Sequence, residues 1–335
     1  MDKLVFLFPG QGSQYVGMGM DLAAKYSEAS EVFALADKSL DFTLRDVMWD
    51  GPAEYLNMTE ITQPAILTMC VALLEVLTAR GVIPAVAAGL SLGEYPALVA
   101  AGTMDFPTAV RLVRERGRLM QEAVPAGVGA VAAIMGLEAK QVEEACAAVK
   151  EHMVAVANYN CPGQIVIAGE VAGVDAAMAR CSELGAKRTI RLPVSAPFHT
   201  VMLKGAGAAL RPYLKKAKLK SPRIKVLSNV TASYYGKKNP VDLLVQQVSK
   251  PVKFEGLIKR LIKDGYGPFV EIGPGTTLSS FIKKIDKTAT VYSVAKADDV
   301  DKLLEVLSWE QQSLQAVPVA SAKRFAAGLL IPVTQ

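Results

Sequence analysis

Histidine is nearly missing from this sequence. Of 335 residues, only His152 and His199 are histidines, and only Cys70, Cys146, Cys161 and Cys181 are cysteines. The cysteines are scattered, with no C-x-x-C pair and no histidine spaced to complete a metal site. A metal or other cofactor is therefore not expected, and the thiols read as the reduced set of a cytoplasmic protein. Aromatic residues make up 7% of the chain, and no run of Lys and Arg is interleaved with them. That argues against nucleic acid as a partner. The formal net charge of +5 is modest; it reads first as solvated surface and second as a preference for acidic partners. No stretch reads as a membrane span. Residues 152–169 lack Asp, Glu, Lys and Arg, but Asn158, Asn160, Pro162 and Gln164 interrupt them. The apolar run near the start is too short for a signal peptide.

What the chain does have is apolar residues, 51% of the total, enough for one large core or two smaller ones. Strand-like runs alternate with helix-like segments, which predicts an α/β class. Residues 3–8 (KLVFLF) read as a buried strand, 63–80 as a long helix, and 84–89 as a short apolar strand. Helices follow at 92–101, stopping at Gly102, and at about 106–121. Residues 128–192 then form a self-contained β-α-β-β-α-β pattern, the ferredoxin-like arrangement. Its strands read as 128–136, 153–158, 164–169 and 186–192, its helices as 138–150 and 171–184, and its central turn as Asn160-Cys161-Pro162-Gly163. The expected organisation is an α/β-hydrolase-like unit with a mostly parallel sheet, residues 1–126 and 194–305. A ferredoxin-like insert, 127–193, joins it near Pro125 and Pro193. In the second half, helices read at 201–216, 241–248 and 254–264, and strands at 224–229 and 268–272. Residues 306–335 read as a weakly patterned tail, and no internal repeat is visible.

Gly89-Leu90-Ser91-Leu92-Gly93 matches G-x-S-x-G. A strand that turns sharply into a helix would project Ser91 from its tip, and side chains two positions either side would collide there. An apolar strand precedes the motif and a helical pattern follows it. Pro96 falls in that helix's first turn, where a missing N–H is tolerated. The structural alternative is a tight turn with no chemistry. A nucleophilic serine needs a base. His152 ends a charged helix (Lys150-Glu151-His152) and reads as solvated. His199 lies in a loop restricted by Pro193 and Pro197 and is either a fixed imidazole or a capping or core histidine.

Arg116 supplies an independent clue. At 100° per residue, Phe106, Ala109, Val110, Val113 and Met120 share one stripe of their helix. Arg111, Arg114 and Arg118 fall on the other side, whereas Arg116 falls at the edge of the stripe beside Gly117. A buried cation needs a partner. That partner is either a carboxylate of the protein or a carboxylate of the substrate, held bidentately.

The glycine-rich loops are less specific. Phe8-Pro9-Gly10-Gln11-Gly12-Ser13-Gln14 fails the dinucleotide spacing because position 15 is Tyr. It could instead bring a backbone N–H close to Ser91. Gly127-Val128-Gly129 with Ala132 fits by letter but lacks a preceding strand. Glu271-Ile272-Gly273-Pro274-Gly275 reads as a tight turn.

Taken together, about residues 3–290 resemble the malonyl-CoA:acyl carrier protein transacylases of fatty acid synthesis, and also the acyltransferase domains of polyketide synthases. The resemblance rests on an ordered set: FPGQGSQ at 8–14, GLSLGEYPALVAAG at 89–102, RGRLMQEAVPAG at 116–127, NYNCPGQIVIAG at 158–169, LPVSAPFH at 192–199, Gln247 in QVSKPVKF, and EIGPG at 271–275. It implies an acyltransferase with Ser91 as nucleophile and His199 as base. Backbone N–H groups of Gln11 and Leu92 would form the oxyanion hole. Arg116 would grip the malonyl carboxylate, Gln247 would orient Ser91 and His199, and Phe198 would favour malonyl over branched acyl groups. No triad Asp is implied; backbone carbonyls would hold the imidazole. Leu90 departs from the family, which usually has His there. The implied partners are malonyl-CoA and an acidic carrier protein, for which Lys187, Arg188, Arg191, Lys283 and Lys284 are candidate contacts, in a chain expected to act as a monomer. Rival readings are a trans-acting polyketide acyltransferase, an acyl-thioester hydrolase and a catalytically silent carrier-binding scaffold.

Overall fold

The computed structural model describes residues 3–125, 127–194, 196–236 and 240–315. Ser195 of the 192–199 motif, Ala126 at the expected joint, and residues 316–335 of the expected tail lie outside the described residues. The first strand, β1 (Val5–Phe8), is buried along its whole length. Its alternation sorts two cores. Leu4, Phe6 and Phe8 join one apolar cluster with the Thr59–Ala79 helix. Val5 and Leu7 join another with Phe254 and Phe281. A strand covered on both faces is the environment of a parallel sheet.

The remaining strands are β2 (Val86–Gly89), β3 (Gly129–Met135), β4 (Val154–Cys161), β5 (Gln164–Glu170), β6 (Arg188–Arg191), β7 (Lys225–Ser228), β8 (Ser233–Tyr234), β9 (Phe269–Ile272) and β10 (Val291–Val294). They form two sheets. The larger has the order β10-β9-β1-β2-β7-β8. It is parallel except for β8, which runs antiparallel to β7. The smaller, β4-β5-β3-β6, is antiparallel. That order, with helices Ala139–Ala147 and Val171–Glu183 between its strands, is the ferredoxin-like one. One face of the small sheet packs on those helices through Ala132, Ile134, Ile165 and Ile167. The other face carries Val131, Ala157, Val166 and Ala168.

Several local expectations need correction. Strand β4 runs on to Cys161, with register irregularities at Val156/Asn158 and Tyr159/Cys161. Asn160 and Cys161 therefore belong to the strand, not to the turn. His152 lies in a loop, because its helix already ends at Ala147. The tail does not begin at 306: β10 leads into a helix, Ala297–Gln315. The Thr59–Ala79 helix is, contrary to expectation, long and apolar enough to cross a membrane, but 89% of its apolar window is buried. Its apolar surface is consumed by packing against Ser27–Ser39 and Phe106–Glu122, as in a core helix. The Glu94–Ala100 helix does end where glycine allows it. Gly102 has φ 66°, and the next N–H bonds back to the Leu98 carbonyl.

Candidate active site

The sharp turn between β2 and the Glu94–Ala100 helix leaves no room for side chains beside Ser91. A Cβ added to Gly89 would stand 2.1 Å from the Gly93 carbonyl carbon, and one added to Gly93 would stand 1.9 Å from the Phe8 carbonyl oxygen. Ser91 itself has φ 53°, in the left-handed region. For a non-glycine residue that costs about 1–3 kcal/mol and persists only where the surroundings enforce it. The enforcement is visible. The Ser91 N–H donates to Asn229 Oδ1 at 2.6 Å, and Asn229 Nδ2 donates to the Gly89 carbonyl at 2.7 Å. The loop after β1 presses on the same turn, since a Cβ on Gly10 would meet the Leu90 carbonyl oxygen at 2.7 Å. Gln11 and Leu92 thereby join Ser91 in lining one cavity.

His199 also has a positive φ, 61°, and is 4% exposed. Its Nε2 lies 2.7 Å from Ser91 Oγ and its Nδ1 lies 2.8 Å from the Gln247 carbonyl oxygen. A carbonyl only accepts, so Nδ1 carries the proton and Nε2 presents a lone pair to the serine hydroxyl. Burial, and then the Arg116 charge, push its pKa down to about 4. The imidazole is thus neutral near pH 7. His152 instead pairs with Glu170 at 3.1 Å at the surface and does not line the cavity.

Arg116 is 1% exposed. Gly117 allows its helix to lie against Thr59, where a Cβ would stand 2.6 Å from the carbonyl oxygen. The guanidinium donates to Gln63 Oε1 at 2.7 Å, to Gln247 Oε1 at 3.0 Å and to Ser91 Oγ at 3.2 Å. It also lies 5.4 Å from the centre of the Tyr95 ring. Among the described residues no carboxylate forms an ion pair with it, although Arg114 and Arg118 on the same helix each have such pairs. Of the two partners weighed for Arg116, the protein carboxylate is therefore not in place.

Gln247 completes the arrangement. Its Nε2 donates to the Ser91 carbonyl at 2.8 Å and to Glu94 Oε2 at 2.7 Å. Glu94 is fully buried, and burial pushes its pKa up to about 7. The sequence reasoning singled out Ser91, His199, Arg116 and Gln247, which meet here, but not Glu94, Asn229, Gln63, Tyr95 or Tyr235. Glu94 directly follows the serine motif in an apolar helix, a signal that was available. Gln63 is a lone amide at the head of an apolar run. Asn229 follows β7 and carries no local signal.

The cavity, about 550 Å³, lies between the carboxyl ends of β1 and β2 and the free face of the small sheet. Val131, Ala157, Val166 and Asn160 line it from the small sheet, and Leu90 and Phe198 from the large unit. Asn160 Oδ1 is buried without a partner. The EIGPG segment is structural: Glu271 caps the Thr277–Ile285 helix through Leu278 N–H at 3.0 Å and Ser279 N–H at 2.7 Å. Of the five basic candidates on the surface, Arg191 pairs with Asp175, Lys283 donates to the Ala289 carbonyl and Lys284 to Gln164. Lys187 and Arg188 are exposed. Among the described residues, no group of three or more His, Cys, Asp or Glu could hold a metal ion.

A model of the acyl transferase domain matches residues 5–318. The chain belongs to the acyl transferase family. Within that family it is 42% identical over 316 residues to the malonyl CoA-acyl carrier protein transacylase of Bacillus subtilis (strain 168), covering 93% of this chain and 100% of the relative. The crystal structure of a malonyl CoA-acyl carrier protein transacylase from Clostridium perfringens superimposes with a TM-score of 0.91 at 42% identity, covering 93% of this chain and 99% of that one. A malonyl-transacylase in complex with its type II polyketide synthase acyl-carrier protein is also similar. It has a TM-score of 0.89 at 39% identity and covers 91% and 99% of the two chains.

Proposed function

We propose that this acyltransferase moves a malonyl group from malonyl-CoA to the phosphopantetheine thiol of an acyl carrier protein, through a malonyl ester on Ser91. The observation that carries the reading is the buried Arg116 guanidinium, 3.2 Å from Ser91 Oγ and without a carboxylate partner among the described residues. An acyl group that ends in a carboxylate supplies the missing charge.

The steps follow from the geometry. Ser91 Oγ attacks the thioester carbonyl carbon while its proton passes to His199 Nε2. Backbone N–H groups of Gln11 and Leu92 receive the oxyanion, an effect worth about 3–4 kcal/mol per donor in comparable sites. The C–S bond breaks, and His199 returns the proton to the departing CoA sulfur. The carrier thiol then repeats the sequence in reverse, losing its proton to His199 and releasing Ser91. Arg116 holds the free carboxylate throughout, Gln247 keeps Ser91 and Arg116 in register, and Phe198 narrows the wall against branched acyl groups. One chain supplies all of these groups, in keeping with action as a monomer. The insert, residues 127–193, walls the cavity, and with Lys283 and Lys284 it forms the face for the acidic carrier. No cofactor enters the scheme.

A specific observation bears on the hydrolase alternative. An editing enzyme for apolar acyl chains gains nothing from a buried cation at the acyl site. The test is a transfer assay with labelled malonyl-CoA, with and without carrier protein. Label on the carrier and little free malonate is expected; rapid carrier-independent release of malonate would replace this reading with hydrolysis. Transfer that does not slow with added salt would count against the basic docking face.

A further inference from the structure

Glu94 has no part in the acyl transfer steps, yet it touches more of the site's framework than any other buried carboxylate. Its Oε2 accepts from Gln247 Nε2 at 2.7 Å and from the Asn229 backbone N–H at 3.1 Å. Its Oε1 accepts from the Tyr235 hydroxyl. We propose that Glu94 is a positioning residue that fixes Ser91 and Arg116 together, a role that rests on the acyl transfer reading above.

The reasoning turns on the two ends of a glutamine amide. Gln247 could face Arg116 with its oxygen or with its NH2, and an NH2 group would repel a guanidinium. Glu94 Oε2 already accepts from the Asn229 backbone N–H, so it meets Gln247 as an acceptor and is faced by the NH2 end. With Nε2 held between Glu94 and the Ser91 carbonyl, Oε1 must face Arg116, where it stands 3.0 Å from Nη2. Glu94 thus decides the amide's direction. The second branch works in the same way. By holding the Asn229 N–H, Glu94 fixes the residue whose side chain clasps Ser91 N–H and the Gly89 carbonyl, and so enforces the positive φ of Ser91. Because Glu94 sits three residues beyond Ser91, at the start of the helix that the turn feeds, one carboxylate ties the nucleophile to the acyl clamp.

Charge adds to the geometry. Gln247 bridges Glu94 and Arg116, so above about pH 7, where Glu94 is ionised, a negative group stands behind the amide that faces the unpaired guanidinium. The titratable and charged groups facing Glu94 are Tyr235, Tyr95 and Arg116, and Arg116 is the only cation among them. A substitution that keeps the acceptor but not the charge therefore separates geometry from electrostatics. In Glu94→Gln, the carbonyl can still meet Gln247 and Asn229 while the amide NH2 turns to the Tyr235 oxygen.

The experiment compares wild type, Glu94→Ala, Glu94→Gln and Tyr235→Phe in three reactions: loading from malonyl-CoA, loading from acetyl-CoA, and labelling of Ser91 by a fluorophosphonate. Melting temperatures are measured alongside. Misplacement of about 1 Å costs roughly 100-fold. Glu94→Ala should thus lose about 100-fold in malonyl kcat/KM and about 10-fold in both acetyl loading and labelling, so malonyl preference falls about 10-fold. Glu94→Gln should recover at least half of each loss on a logarithmic scale, and Tyr235→Phe should reduce malonyl loading a few-fold. A folded Glu94→Ala with unchanged malonyl preference and unchanged labelling would overturn the proposal. If that variant does not fold, malonyl kcat/KM and Ser91 labelling at wild-type values in Tyr235→Phe would overturn it. Absence of malonyl loading in wild type would instead remove the transacylase reading, while the labelling rates would still decide whether Glu94 positions Ser91.

Discussion

The two sheets meet at one cavity but bring different chemistry to it. The parallel-sheet unit supplies Ser91, His199, Arg116 and Gln247, all linked by hydrogen bonds of 3.2 Å or less. The small sheet supplies Val131, Ala157 and Val166, with Asn158 and Asn160 as its polar contribution. The two histidines divide the same way: His199 is buried against the serine, and His152 sits on the small unit's surface. On the function proposed above, the reaction is built into one unit and the other shapes what reaches it. Charge in the large unit is fixed before substrate arrives, which is where electrostatic preorganisation acts most strongly.

Substitutions on the two sides should therefore differ in kind. The largest effect expected is from His199→Ala, about 10⁴-fold in loading from either acyl-CoA, whereas His152→Ala should leave loading kinetics unchanged. Arg116→Ala comes next. Losing a buried charge contact costs about 2–5 kcal/mol, so malonyl loading should fall roughly 30- to 4,000-fold with acetyl loading nearly preserved. Equal losses for both acyl groups would make Arg116 structural and blur the contrast. On the wall, Val166→Ala should raise loading from a branched acyl-CoA by about 10-fold and leave dependence on Arg116 intact.

The pH profile sharpens the comparison further. With the folded His199 pKa near 4, the acid limb of kcat/KM for loading should lie near pH 4. Protonation of Glu94, whose pKa burial raises to about 7, should lower malonyl loading by at most about 10-fold, and the full loss should come only when Nε2 becomes protonated. Complete loss of activity with a limb near 6.5 would mean that the imidazole is solvated in the working enzyme. The smallest effect belongs to the surface cations. Lys187→Ala should slow only the carrier step, by a few-fold and in a salt-dependent way.

Much of the site was legible because its signals are local. The serine turn is a strand, a glycine pair and a helix within a dozen residues. Arg116 stands out by helical spacing alone, and scarcity of histidine left His199 with one competitor. The fold class followed from the alternation of apolar runs, and the ferredoxin-like order from six short segments in sequence. What escaped notice is non-local or weakly patterned. Glu94 meets Asn229 and Tyr235 across more than 130 residues, and neither partner carries a motif. Three short helices between Met20 and Leu56 were not distinguished, because Met20–Lys25, Leu44–Asp50 and Ala53–Leu56 each turn too few times to show a clear period. The half-buried β10 sits at a sheet edge, where the all-apolar signature of β1 fades. Thr59–Ala79 is long and apolar enough to cross a membrane because a core helix covered on every side has the composition of a membrane helix.

The central claim is that Ser91 carries the malonyl group between CoA and the carrier. It is tested most directly by intact-mass measurement after brief mixing with malonyl-CoA in the absence of carrier protein. A gain of one malonyl group on wild type, lost on adding carrier and missing from Ser91→Ala, is the predicted result. No gain on wild type, or the same gain on Ser91→Ala, would contradict it.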